Sequence, residues 1–423
     1  MFRTLTSSWR DEILKRSLLE RATPEQVNML LPVRTGRETS PGSNAWVVSG
    51  AHTASGKPLL ANDPHLEYSI PCIWYTVHLK APGLNVIGVS LPGAPGVVAG
   101  HNDRIAWGVT NLHFDVQDLY LSPTAEPGPR EIIRIRGGGQ EILTPRTTRR
   151  GPVLTEVGNQ KAALRWTALE PVGWEFPFLD VNRARNWTEF RRALARFPGP
   201  AQNFVYADVD GNIGYQAAGR LPVRRGSDGS VPVPDDGRAD WDGYIPFDRL
   251  PSVYNPPSGR LVTANQNPFP ADYPYPVAGN FAPHFRANRI RELLEKGARL
   301  QPDDFLRIQT DVYSAFGHAV ARALLEALDR RPVSNPGLVQ AASELRAWDG
   351  VFRPEQQAPV LVALTYNRFL RALVESVAGE KAPLYASQMG TAFVEQILAS
   401  RPPGWTRDYD DLLLRSLSLA VAE

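Results

Sequence analysis

Between Asn44 and Asn267 the chain is written mostly in short runs of β-branched and aromatic residues, and beyond Phe285 the period of its apolar residues lengthens to that of a helix. That change constrains the fold more than any other feature. The runs AWVVSG, PLLAN, IWYTVHLKA, NVIGVSLPG and IAWGVTN are separated by Gly, Pro, Asn and Asp, the punctuation of strands joined by turns. Residues 130–168 continue as hairpins, and NFVYADVDGNIGYQAAG predicts a hairpin turning at Asp210-Gly211-Asn212. Helical spacing is predicted over 8–32, with Ser8 as N-cap and Pro32 as stop, and over Ala184–Phe197, where Trp187, Phe190, Leu194 and Phe197 share a side. It recurs over 286–297, 302–330, 338–348, 356–378 and 390–400. Strands in two blocks, with helices before, between and after them, predict an α+β fold in which helices cover sheet layers.

Several function classes recede on composition. Lys plus Arg number 46 against 44 Asp plus Glu, a net charge of +2, which gives no field for holding nucleic acid. No stretch approaches the roughly 20 apolar residues that span a bilayer, so no membrane span is expected. Cys72 is the single cysteine, which rules out an intrachain disulfide or a cysteine-based metal cage. The opening MFRTLTSSWRDEILKRS has no apolar h-region and is not a secretory signal. Val33–Ser43, without apolar periodicity and containing two Gly and a Pro, has the composition of an exposed, cleavable linker.

That linker ends in Gly42-Ser43, and a hydrophobic strand begins at once. A serine at the start of a strand is ordinarily a turn residue. A hydroxyl becomes nucleophilic beside a base, and no G-x-S-x-G elbow is present, although seven His could be searched for a partner. Cleavage before Ser43 would offer another route. The freed α-amino group, with a pKa of about 7.7–8.0, can accept the proton of its own hydroxyl. Gly42, lacking a Cβ, lets the peptide before Ser43 bend toward that attack.

SNAWVVSG at 43–50, NDPH at 62–65, PGAPGVVAGHNDRIAWGVTN at 92–111, DVQD at 115–118, YADVDGNIGY at 206–215, PFDRLPSVYNPPSG at 246–259, TANQNP at 263–268 and FRANRI at 285–290 occur in that order. In content and spacing they resemble the catalytic β chain of the penicillin acylases and related N-acyl amidases, members of the N-terminal-nucleophile hydrolases. The resemblance implies a four-layer αββα core and hydrolysis of a small N-acyl amide with an apolar acyl group. It implies Ser43 as nucleophile, exposed by autocatalytic cleavage after Gly42, and His65 as the group holding its amino nitrogen. It implies the Asn111 backbone N–H as one oxyanion donor and Arg286 as orienting the nucleophile's surroundings; the alternative reading of Arg286, beside the resemblance, is an Arg at a helix start making a structural ion pair. For the second oxyanion donor, an Asn side chain, TANQNP offers Asn265 and Asn267. Ungapped alignment would put Gln266 there, and the Asn-x-Asn pattern selects Asn267. Asp115, Gln117 and Asp118 match a calcium-binding segment, so a structural Ca2+ is expected. Asp208-Val-Asp210-Gly-Asn212 has half an EF-hand pattern but lacks the distal Glu and reads as a turn.

The expected organisation is therefore 1–32 as the end of an α segment, 33–42 as spacer, 43–285 as the β-rich catalytic core and 286–423 as a helical region, incomplete at both ends against the family. After processing, the chain's own α segment is expected to stay as a partner. Family resemblance implies a periplasmic or secreted location. Expressed by itself, the 423-residue chain is expected neither to cut itself nor to hydrolyse amides. The competing expectation is a catalytically inert, calcium-stabilised binding or scaffold protein on the same fold.

Overall fold

A computed structural model of the chain describes residues 5–34, 42–66, 69–170, 175–385 and 390–423. Most of the predicted spacer, 35–41, lies outside the described residues. Strand β1 (Asn44–Val48) starts directly after Ser43 and pairs antiparallel on one side with β2 (Leu59–Asp63) and on the other with a strand late in the β block, Arg260–Thr263. Trp46 thus stands between Ala61 and Val262. A second sheet of seven strands contains β3 (Tyr75–Ala81), β4 (Leu84–Ser90), β5 (Ala99–Asn102) and β6 (Ile105–Asn111). Next to β6 lie β7 (Gln202–Asp208) and β8 (Ile213–Ala218), the predicted hairpin, and Ser252–Tyr254 closes the edge. Asp208 accepts the Asp210 and Asn212 N–H groups at 3.0 and 2.9 Å, so this is a turn, as its sequence indicated.

Alternation along the strands creates the layers. In β7, Val205 and Ala207 face the smaller sheet together with Ala45 and Val47 of β1, while Phe204 and Tyr206 face away. Against that far face pack α3 (Phe178–Arg183) and α4 (Trp187–Leu194), whose Val181, Phe190 and Leu194 meet Trp107 and Phe204. On the opposite side of β1, Trp46 and Val48 are covered by Ala287, Ile290 and Leu294 of α5 (Phe285–Lys296) and by Phe305 of α6 (Pro302–Gln309). The result is helix, sheet, sheet, helix, the expected αββα core. Each fully buried side chain of this size contributes about 1.5–3 kcal/mol relative to leaving it in water. Helices α5 and α6, which follow the position expected to end the β-rich core, pack directly on the Trp46 and Val48 face of β1.

Two predicted helices divide. The helix over 8–32 becomes α1 (Trp9–Leu19) and α2 (Pro24–Leu30), because Thr23 and Gln26 form a capping box that restarts the helix. The helix over 302–330 becomes α6 and α7 (Ala315–Arg330), with Ser314 Oγ capping the Gly317 N–H at 3.0 Å. The remaining helices are α8 (Pro336–Ala347), α9 (Ala358–Ala378), α10 (Thr391–Ser400) and α11 (Tyr409–Val421). They pack with α1, α2 and α7 around Leu18, Leu30, Leu324, Phe369, Phe393 and Leu417. Among the described residues, no helix is long and apolar enough to cross a membrane.

Candidate active site

Ser43 is 5% exposed and directly precedes β1. Its main-chain N–H donates to Asn265 Oδ1 at 2.8 Å, and Asn265 Nδ2 lies 3.3 Å from Ser43 Oγ. The same Nδ2 donates to the Asn111 carbonyl at 2.8 Å. One buried carboxamide therefore holds the serine at nitrogen and oxygen while anchoring itself to β6. Asn265 reaches this position just beyond the strand Arg260–Thr263, at φ +66°, a left-handed conformation that Asn tolerates better than most residues.

Arg286, in the first turn of α5, donates through Nη1 to the Ser43 carbonyl at 3.1 Å and to Asn44 Oδ1 at 2.7 Å. Through Nη2 it donates to Asn265 Oδ1 at 3.1 Å. A planar fork suits this task because one rigid group fixes three acceptors at once. A Cβ added to Gly42 would lie 2.8 Å from His65 Nε2 and 3.3 Å from Arg286 Nη2, so glycine is what fits before the serine.

The direction of the main chain at Asn111 follows from the strand it ends. Along β6, Leu112 N–H reaches Ala201 O of the neighbouring chain segment at 3.0 Å, whereas Val109 N–H turns the other way to Asn62 Oδ1 at 3.0 Å. Strand alternation turns the Asn111 N–H to the Val109 side, away from β7. The Asn111 side chain is employed elsewhere, donating to Leu5 O at 2.9 Å.

Two expected residues have other duties. Asn267, the favoured second donor, gives its Nδ2 to Arg34 O at 2.9 Å and accepts the Phe269 N–H at 2.9 Å, so Asn265 takes the place beside the serine. His65 was expected at the nucleophile's nitrogen, but that contact belongs to Asn265. The His65 ring stands beside Gly42 and leans on Asp63, with Nδ1 3.1 Å from Asp63 O. The same nitrogen stands 3.4 Å from Asp63 Oδ2, and this side-chain contact holds the Asp63 carboxyl below its ordinary range.

Residues that sequence reasoning passed over complete the frame. Asn62, inside the NDPH block, clips β2 to β6 by donating to Val109 O at 2.9 Å and to Asn44 O at 3.0 Å. Asn203 of β7, fully buried, donates to the Asn111 carbonyl at 3.2 Å and accepts the Tyr215 hydroxyl at 2.5 Å. Asn62 was in view in its motif; Asn203 carried no signal beyond being a polar residue in an apolar strand.

His113, at φ +55° two residues past Asn111, has its imidazole pushed down from 6.5 to about 3, by burial first and then by the charge of Arg286. The ring is thus neutral in the folded chain at any ordinary pH. An unfolded His takes up its proton near 6.5, so acid favours unfolding: stability falls as pH drops from about 6.5 toward about 3. His113→Asn, which tolerates the left-handed backbone, is expected to flatten that acid limb in a plot of unfolding midpoint against pH, and an unchanged limb would exclude His113 as its source.

A cavity of about 290 Å³ opens above Ser43 and Asn111. Its walls are largely apolar, built by Trp74, Val98, Phe176, Phe178, Phe197 and Phe204. This is close to the lower size of small-molecule sites, with few polar groups gathered at one end. A carbonyl placed there would meet the serine hydroxyl and amide donors on one side and an apolar pocket for its substituent on the other. A second cavity, about 560 Å³, lies beyond Arg286 and is bounded by Asn44, Tyr313 and Tyr366 without touching Ser43.

The segment expected to hold calcium, Asp115-Val-Gln117-Asp118, lies against α1. Asp118 binds the Arg224 Nε through both carboxylate oxygens at 3.0 Å and accepts the Trp241 indole N–H. Ser8, predicted to cap α1, instead donates its hydroxyl to Asp115 Oδ1 at 2.5 Å. Gln117 Oε1 accepts the Ser8 and Trp9 N–H groups at 2.8 and 3.2 Å. Burial pushes the Asp115 carboxyl up to about 6 and lifts Glu12 well above the carboxylate range, the latter helped by Asp118 and Asp115. As arranged, these residues do not fit a metal ion. A guanidinium occupies the space between the oxygens, and no group of three or more His, Cys, Asp or Glu among the described residues could hold one.

The sequence-family model described as penicillin amidase matches residues 1–423. The penicillin acylase 2 proenzyme of Pseudomonas sp. (strain SE83) is 34% identical over 421 residues, covering 90% of this chain and 53% of that protein. The acyl-homoserine lactone acylase QuiP of Pseudomonas aeruginosa is 29% identical over 392 residues, covering 83% and 46%. The penicillin G acylase of Escherichia coli is 31% identical over 336 residues, covering 73% and 39%. The chain thus spans about half the length of these relatives, or less. Among solved structures, a thermostable penicillin G acylase from Alcaligenes faecalis matches with a TM-score of 0.73 at 23% identity, covering 89% of this chain and 77% of that one. That likeness establishes the fold.

Proposed function

Because the chain belongs to the penicillin amidase family, we propose that it forms the core of an amidohydrolase in which Ser43, once its nitrogen is freed, hydrolyses N-acyl amides. The observation that carries this reading is Asn265, which holds both the nitrogen and the hydroxyl of Ser43 at the base of an apolar cavity.

Two reactions use the same atom. In the first, Ser43 Oγ attacks the Gly42 carbonyl, the Gly42–Ser43 C–N bond breaks, and the acyl group moves to oxygen as an ester. Water hydrolyses that ester, leaving the Gly42 carboxylate and a free α-amino group on Ser43. In the second, Ser43 Oγ attacks a substrate carbonyl while its hydroxyl proton passes to the α-amino nitrogen. The oxyanion is stabilised by the Asn111 N–H and Asn265 Nδ2. Collapse expels the substrate amine, which takes the proton, and water then releases the acid from acyl-Ser43. The α-amino nitrogen suits this role because its pKa of about 7.7–8.0 lies near neutrality.

The fragment before the cut stays attached through contacts already in place: Ser8 and Trp9 on Gln117, Ser8 on Asp115, and Lys15 Nζ on Ser230 Oγ at 3.0 Å. On the acyl side, the aromatic walls support an apolar substituent. The relatives' names point to penicillins and acyl-homoserine lactones, which share the N-acyl amide linkage. The protein, expressed with any sequence that flanks this chain in its gene, is expected to yield a fragment beginning SNAWV by mass spectrometry. It is also expected to release an amine from penicillin G or from an N-acyl-homoserine lactone. An uncut protein inert toward both classes would sink the proposal.

A further inference from the structure

We propose that the Arg224 guanidinium is the resident cation of an all-oxygen cage beneath the N-terminal helix, so that this chain is clamped there without a divalent ion. Nε of Arg224 donates to both oxygens of Asp118 at 3.0 Å, and Nη2 donates to the main-chain carbonyls of Asp115 at 2.9 Å and Gln117 at 3.3 Å. Asp115 Oδ2 stands 3.4 Å from the same nitrogen. Two carboxylates and two carbonyls converging on one buried point form the donor set that a hard cation takes. Here the positive charge arrives on a side chain that is only 3% exposed.

The surroundings are shaped to the guanidinium. Gly229, at φ +77°, passes so close that a Cβ there would lie 2.5 Å from Arg224 Nε and 2.7 Å from Asp118 Oδ1. The loop therefore closes over the planar group only because residue 229 has no side chain. Trp241 donates its indole N–H to Asp118, further fixing the carboxylate that faces the charge. The caged segment is also the one that grips the start of α1: Asp115 takes the Ser8 hydroxyl, Gln117 takes the Ser8 and Trp9 N–H groups, and Leu119 N–H donates to Glu12 Oε2 at 3.0 Å. Arg224, from the short strand Pro222–Arg225, is thus the pin through which the N-terminal helix is held on the core.

A guanidinium and a divalent ion cannot share this space, since both would face the same oxygens at contact distance. Two consequences separate the proposal from a calcium-filled alternative. The wild-type chain, passed through chelating resin, is expected to carry well under one equivalent of calcium by elemental analysis. Its unfolding midpoint should be the same in EDTA and in millimolar calcium chloride. Arg224→Ala leaves the oxygens facing one another and is expected to lower the midpoint in EDTA by several degrees. Calcium chloride should restore most of that loss in the variant, which acquires the divalent site that its parent lacks. Arg224→Lys keeps the charge but not the fork, and is expected to fall between the two without a calcium response. Stoichiometric calcium in the wild type, or a midpoint that EDTA lowers, would overturn the proposal. So would an Arg224→Ala protein as stable as its parent. Should Arg224→Ala not fold, the wild-type calcium content and EDTA response, read with Arg224→Lys, still decide it.

Discussion

Ser43→Ala is expected to leave the protein a single uncut chain with amide hydrolysis reduced to background, a fall on the order of 10⁴–10⁶-fold where removal of a nucleophile has such effects. Both outcomes trace to one atom. Without Oγ there is no attack on the Gly42 carbonyl, so no α-amino group is freed, and no attack on a substrate carbonyl. The substitution costs the fold little. Ser43 Oγ accepts from Asn265 Nδ2 at 3.3 Å, and the loss of one such hydrogen bond is worth about 1 kcal/mol. The unfolding midpoint should therefore stay close to that of the parent, which separates lost chemistry from lost structure. Intact mass and N-terminal sequencing read the cut, and release of the amine reads the activity. A fragment starting at residue 43 in the alanine variant would show that something other than this serine performs the cleavage.

The second large effect distinguishes two asparagines two positions apart. Asn265→Asp keeps an oxygen for the Ser43 N–H and tolerates the φ of +66°, but replaces the Nδ2 donor that faces Ser43 Oγ and the Asn111 carbonyl. Losing one oxyanion donor typically costs about 2.7–4 kcal/mol in the transition state, so kcat should fall by about 10²–10³-fold. The new carboxylate also places an oxygen against the Asn111 carbonyl, which adds to the loss. Asn267→Ala removes a hydrogen bond to Arg34 O and one from the Phe269 N–H, neither of which reaches the serine. Its kcat should stay within a few-fold of the parent, with the effect confined to stability at about 1–2 kcal/mol. Equal losses in the two variants, or a greater loss at Asn267, would refute the placement of the donor.

These asparagines show where a sequence stops being sufficient. Thr263, Asn265 and Asn267 have the same parity along the chain, so strand alternation alone aims 265 and 267 the same way. The choice depends on the strand ending at Thr263 and on the left-handed turn at Asn265, which swings Asn267 out to Arg34. His65 failed for a related reason. Family resemblance implied it beside the nucleophile, and its ring does stand beside Gly42, but which group takes the Ser43 N–H depends on how the strand Arg260–Thr263 lies against β1. Ser8 had the composition and position of a helix cap, yet the carboxylate of Asp115 competes for its hydroxyl and wins.

What the amino-acid order determined by itself was where strands and helices fall and that a serine stands at the end of the linker ahead of β1; the four-layer arrangement and the reading of Ser43 as a nucleophile came from family resemblance. Period-two runs through 44–267 must become strands, and the apolar stripes of α4 and α5 must be buried. A Gly-Ser pair ahead of the innermost strand puts a hydroxyl at the end of β1, because local periodicity and turn chemistry act over a few residues and need no partner. What only the tertiary structure decided was which polar groups, distant in sequence, share a buried point. Arg224 is 106 positions from Asp118, and Asn265 is 222 from Ser43. Nothing in either neighbourhood announces its partner, since the energy of a buried charge or carboxamide depends on what the folded chain brings within hydrogen-bond reach.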